Sequence, residues 1–242
     1  QRIFKFLILL ASFHVLARVL QIVGYDVIVQ DPNHPMAPLL RQIDGIVVNE
    51  RMFFDFIRLQ TPIMFVLLLY AGAGMICNDV RNNLMEIFFS KPLRWYDYLI
   101  GKVATLTLQG LSVTALPALF LLLQHALLLP EIAVLQNVAV WVGASLAFSL
   151  IVVLPTVFSI LACSALLPGQ NYAAITVFML LIANSTMSAL LVGALRERDW
   201  FILSFPMALN RIGQHFLGET RLEFNLRWEY SLLYVIIVCF VG

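Results

Sequence analysis

The sequence predicts an all-α integral membrane protein of about six transmembrane helices, and three observations carry that expectation. Hydrophobic residues fill 61% of the 242 positions, against roughly 45–50% in soluble domains. Charged residues are 12% of the chain, too few to cover the surface of a soluble fold of this size. Uncharged runs recur at the length a helix needs to cross a bilayer, about 20 residues, and the mean hydropathy is +0.91.

The spans are expected near 4–23, 59–77, 99–123, 137–165, 172–194 and 229–242, in one transmembrane domain over 1–242. The first is interrupted by Lys5, His14 and Arg18. It has no small-residue cleavage site, so it reads as a span rather than a cleaved leader. The long run from Ile132 to Leu195 must fold back on itself. Its break is placed at Leu166-Leu167-Pro168-Gly169-Gln170-Asn171, a Pro-Gly turn with Asn171 as the following helix cap. The last run is still open at Val241-Gly242, which predicts a span continuing past residue 242. Two long polar segments, 24–57 and 196–228, fall on one side of the membrane, and the short charged segment 78–98 falls on the other. Lys5, Lys91 and Lys102 all lie on the short-loop side, which favours the cytoplasm for it. The arginines of the long segments do not add to that argument. Trp95 is expected at one interface, and Trp141, Trp200 and Trp228 near the other.

Composition also narrows the chemistry. A net charge of +1, with dispersed basic residues, gives no footprint for nucleic acid. Cys77, Cys163 and Cys239 lie in or beside apolar runs and read as small buried hydrophobes. His14, His34, His125 and His215 never fall at metal-ligand spacing. Leu99-Ile100-Gly101-Lys102 ends like a phosphate-binding loop, but Tyr96 stands where the first glycine is required. The interiors of spans two to six contain no Asp or Glu, so a proton relay is not expected there. Any transport would be driven from outside this chain. His14 and Arg18 share one face of the first helix, and Arg18 either snorkels or lines a pathway. Asn184, Ser185 and Thr186 form the densest polar cluster within a span, read as interhelical hydrogen bonding or as contact with cargo. Ala71, Gly72, Ala73 and Gly74 would let helices approach closely.

The informative segment runs from Gly74 to Lys102. A surface helix is expected over 79–91, with Asp79 as its cap and Pro92 as its stop. Leu84, Ile87 and Phe88 would share an apolar face, with Asp79, Asn83 and Glu86 on the polar side. Such a helix lies along the membrane and offers side chains to a soluble partner.

The stretch resembles the first cytoplasmic loop of the type-2 ABC exporter permeases. The resemblance rests on Asp79 and Arg81, on Leu84 to Glu86, on Ser90 to Pro92 and on Asp97 to Lys102. The six-span layout and the Pro206-containing segment before the last span are similar too, whereas the content of the first outer segment, 24–57, matches no subgroup. The resemblance implies a transmembrane subunit working with two separate ABC ATPase chains and a second permease chain. ATP and Mg would sit on the ATPase, with no cofactor on this chain. The loop would be the coupling helix, contributing Asp79, Arg81, Asn83, Leu84, Glu86, Ile87, Phe88 and Lys91. Segment 196–228 would form short outer helices dipping back toward the membrane. Cargo of amphipathic or hydrophobic character would pass outward, and the chain would sit in a cell membrane, as in the bacterial inner membrane. A non-transporting scaffold or assembly subunit, and less readily an integral membrane enzyme, are the alternatives.

Overall fold

The computed structural model describes residues 2–29, 34–40, 47–90, 94–129, 132–217 and 227–241. The described elements are helical, with no strand among them. In order they are α1 (Arg2–Val23, running on as a π-helical turn Gly24–Val29), α2 (Ala37–Leu40), α3 (Glu50–Gly72), α4 (Cys77–Arg81) and α5 (Leu84–Phe89). Then come α6 (Trp95–Val113), α7 (Ala115–Leu128), α8 (Ile132–Leu166), α9 (Gln170–Leu195), a 3-10 turn (Arg198–Leu203), α10 (Phe205–Phe216) and α11 (Trp228–Val241).

Five helical stretches are long and apolar enough to cross a membrane: Phe4–Val29, Glu50–Arg81, Trp95–Leu128, Leu135–Leu166 and Gln170–Leu195. The sixth expected span is α11, 14 residues long. At about 1.5 Å per residue it covers roughly 21 Å of a hydrocarbon core of about 30 Å. The chain is thus a multi-pass helical protein, with five candidate spans of full length among the described residues and a shorter apolar helix, α11, at the place of the sixth.

Several boundaries differ from the sequence expectation for local reasons. Helix α3 begins at Glu50 rather than near Leu59. Its first turns are held by an Arg51–Asp55 pair at 3.8 Å and by the buried rings of Phe53, Phe54 and Phe56. The third span is two helices meeting at the buried Thr114. Pro117 explains the break, since its ring would clash with the carbonyl of residue 113 and it has no N–H to give. Pro62 and Pro155, by contrast, lie inside continuous helices. Beside each, a threonine hydroxyl serves a neighbouring carbonyl: Thr61 to Ile57 at 2.9 Å and Thr156 to Val152 at 2.8 Å. The turn before α9 is where it was expected, but Gly169, not Asn171, is the cap residue.

The chain divides into two compact units. The first comprises Gln1–Ile63, Ser112–Ser149 and Gly213–Arg221. Its core is aromatic and aliphatic, with Ile22, Phe53, Phe54, Phe56, Ile57, Leu121, Leu122 and Phe148 buried. The second comprises Met64–Leu111, Leu150–Ile212 and Leu222–Gly242. Here α3, α6 and the later part of α8 approach closely at two glycines. A Cβ on Gly72 would stand 2.8 Å from Leu106 and Ile160 side chains, and one on Gly110 would stand 2.7 Å from Val153. Small residues at such crossings let backbones come together where hydrophobic exclusion cannot drive association. Cys77 and Cys163 are buried free thiols, and Cys239 is half-buried.

Candidate functional site

The charged loop after α3 is built into the second unit rather than laid loosely over it. The expected single helix over 79–91 is two short ones, α4 and α5, separated at Asn82 and Asn83. Asn83 adopts the left-handed conformation, φ 56°, a region asparagine tolerates better than most side chains. Asp79 lies inside α4 and does not cap it. The first amides of the segment are met from α8 instead, where Ser164 Oγ accepts from Ile76 N at 3.0 Å and Cys77 N at 3.2 Å.

Asp79 turns toward the start of α6. Its Oδ2 is 2.7 Å from Lys102 Nζ and accepts from the Tyr98 hydroxyl at 2.7 Å. The pair is 21% and 14% exposed at Lys102 and Asp79, and Lys102 also donates to Met75 O at 3.1 Å. The Tyr98 ring stacks near Phe88 with centroids 5.6 Å apart. Asp97 reaches back to Arg94 N at 3.1 Å, which satisfies one of the orphan donors at the start of α6. On the other flank Gln170 donates to Tyr70 O at 3.4 Å, so the loop and the α8–α9 turn occupy the same end of this unit. Within the Asp97 to Lys102 stretch, Tyr98 and Lys102 fasten the loop, while Asp97 caps its own helix.

The expected coupling residues split into two groups. Asp79 points inward, and Leu84 and Phe88 are half-buried, while Arg81, Asn83, Glu86 and Ile87 are exposed, Ile87 at 59%. Lys91 and Pro92 lie outside the described residues. The outward set is a mixed surface of one cation, one anion, an amide and an aliphatic side chain.

Comparison with protein-family models, with curated proteins and with solved structures finds no match for this chain.

The polar cluster in α9 also resolves into roles. Ser185 and Thr186 bond back to their own helix, at Leu181 O (3.0 Å) and Ile182 O (2.8 Å). Asn184 bridges three elements: its Oδ1 accepts from Phe205 N at 2.7 Å, and its Nδ2 donates to the Tyr234 hydroxyl at 2.7 Å. One turn on, Ser188 Oγ donates to Trp200 O at 3.0 Å. Asn184 thus supplies a missing acceptor at the start of α10, and α9 anchors the segment before it. Asn184 also lines a cavity of about 230 Å³.

The first unit holds a site that spacing in the sequence did not reveal. His125 Nδ1 lies 2.6 Å from Asp26 Oδ2, with the His125 and Asp26 side chains 6% and 0% exposed. Each of these buried side chains meets part of the other's hydrogen-bonding need. Trp141 stacks on His125 with centroids 6.1 Å apart and in turn meets Phe53 at 5.7 Å. It is half-buried and links the rings of His125 and Phe53. Asp26 Oδ1 has no hydrogen-bond partner among the described residues. Asp26 had been placed in a polar outer segment and His125 just past the third span, so nothing in their 99-residue separation pointed to a pair. Elsewhere in this unit His14 stacks on Phe56 at 5.1 Å, and Arg18 donates to Gln21 at 2.7 Å.

Proposed function

We propose that this chain is the transmembrane subunit of an ABC-type exporter, with ATP hydrolysed on a separate nucleotide-binding chain. The observation that carries this reading is the fastening of the loop at Asp79, Lys102, Tyr98 and Ser164. A loop that transmits motion from a soluble motor must move as one body with the spans it feeds. An ordinary connector has no need of a largely buried ion pair, whose desolvation is costly. Here α4 is tied to α6 by Asp79 and to α8 by Ser164, so force applied to the exposed Arg81, Glu86 and Ile87 passes to three spans. Of the residues that carry the type-2 exporter resemblance, Asp79, Tyr98 and Lys102 take part in these ties.

In this reading the loop and the α8–α9 turn face the cytoplasm, the segment 196–228 faces outward with its short helices dipping toward the membrane, and a second permease chain completes the translocation path. Affinity purification of the tagged chain from its native membrane is expected to bring down a nucleotide-binding subunit carrying a phosphate-binding loop. Recovery of the chain free of any such ATPase, under conditions that keep other membrane complexes intact, would count against the proposal and favour a scaffold.

A further inference from the structure

We propose that the cavity walled by α8, α9, α10 and α11 in the second unit binds one hydrocarbon chain that carries a hydrogen-bond acceptor oxygen, as an acyl ester does. The binding itself does not depend on the exporter reading; only the assignment of the ligand to cargo rests on it. Size sets the first limit. The cavity is about 230 Å³. An apolar protein cavity of about 150 Å³ already takes benzene, whereas drug-sized ligands occupy roughly 300–1,000 Å³. Several methylene groups fit, and a whole lipid or a sugar chain does not.

The polar accounting sets the second limit. Most of the wall is apolar, from Phe65, Val177, Leu180, Leu181, Phe205 and Val238. Of its polar groups, Thr156 and Ser159 spend their hydroxyl protons on Val152 O and Pro155 O, both at 2.8 Å. Asn184 is held at both ends of its amide, by Phe205 N and Tyr234. The Tyr234 hydroxyl accepts from Asn184, which fixes its oxygen, while its own proton has no acceptor among the described residues. With the second Nδ2 proton of Asn184, the site offers at most two donors in an apolar wall, too few to solvate a charge or several hydroxyls. It matches an alkyl chain with a single carbonyl.

Tyr234 also lines a second, more open hollow of about 570 Å³, whose wall includes Asp199 and Arg227. An ester oxygen at Tyr234 therefore stands where a chain in the smaller cavity would pass into a larger one with charged groups for a polar head. The acyl ester could belong to a bilayer phospholipid or to an acylated molecule being carried.

The test uses the full chain in nanodiscs with two photoactivatable probes, a phospholipid with a diazirine in one acyl chain and a fatty-acid methyl ester with the same diazirine. An alkane diazirine serves as the reference, and labelled residues are mapped by mass spectrometry. Labelling is expected to concentrate on the cavity wall, at Val177, Leu181 and Val238. Ser159→Leu or Val177→Phe, which fill the space, should lower it about tenfold in protein that still elutes as a single species. Tyr234→Phe, which keeps the ring, should reduce the ester probes about threefold or more, the worth of one hydrogen bond, and leave the alkane unchanged. Labelling by both ester probes assigns the site to bilayer lipid, and labelling by the methyl ester alone assigns it to an acylated cargo. Label spread evenly over exposed apolar residues such as Leu190 and Ile236, or unaffected by both the filling variants and Tyr234→Phe, would overturn the proposal.

Discussion

Removing the ammonium of Lys102 should loosen the junction between loop and spans by an amount that can be bounded. The Lys102–Asp79 contact is 2.7 Å, and both side chains are mostly but not fully buried. With an effective dielectric of about 20, the direct attraction at that distance is roughly 6 kcal/mol before desolvation is subtracted. Exposed pairs net about 0–1 kcal/mol, and breaking a fully buried pair costs about 3–5 kcal/mol. Lys102→Met should therefore cost about 2–4 kcal/mol, with Asp79 left on Tyr98 alone. Asp79→Asn should cost a similar amount, because Lys102 then keeps only the Met75 carbonyl. The double variant should lose less than the sum of the two. The assay is equilibrium unfolding in mixed micelles for the four proteins of the double-mutant cycle. A coupling energy of about 1.5–3 kcal/mol is expected. Additivity within about 0.5 kcal/mol would refute the staple, because it would mean the two groups act separately.

Halving the buried pair in the first unit leaves a buried polar group without its partner: His125→Leu or Asp26→Leu alone is expected to destabilise by about 1–3 kcal/mol. The two changes together should recover much of that loss, and thermal denaturation in detergent distinguishes the cases. Gly72→Val places branched methyls against Leu106 and Ile160, where even a Cβ would stand at 2.8 Å. Overpacking of this kind costs roughly 1–3 kcal/mol, read as a lower apparent Tm, whereas Gly143→Val meets open space and should change little. For topology, cysteines at Asn82 and Arg198, both exposed, should react with an impermeant reagent from opposite sides. Reaction from the same side would remove the proposed orientation.

Composition made the membrane-spanning character legible, and run length located five of the spans. It misjudged where helices start, because polar first turns such as Glu50 to Arg58 look like loop until their aromatic face is packed. The loop was legible as a feature, but its internal form was not. Asn82-Asn83 can extend a helix or break it, and only the pull of Lys102 and Tyr98 on Asp79 decides. Asn184 stood out as a polar residue in an apolar run, and the packing role considered for it is the one its hydrogen bonds display. Asp26 and His125 were invisible as a pair, since each had an adequate local reading and their meeting is a tertiary event.

The central claim, that the loop is the docking point for a separate ATPase, is tested most directly by placing a photoreactive amino acid at Ile87 and, separately, at Glu197. Both positions are exposed, and the orientation proposed above puts them on opposite sides of the membrane. Irradiation of the native membrane should attach a nucleotide-binding chain to the Ile87 protein and not to the Glu197 protein, and Glu86→Arg should weaken that capture. No ATPase at Ile87, or the same partners at both positions, would contradict the account.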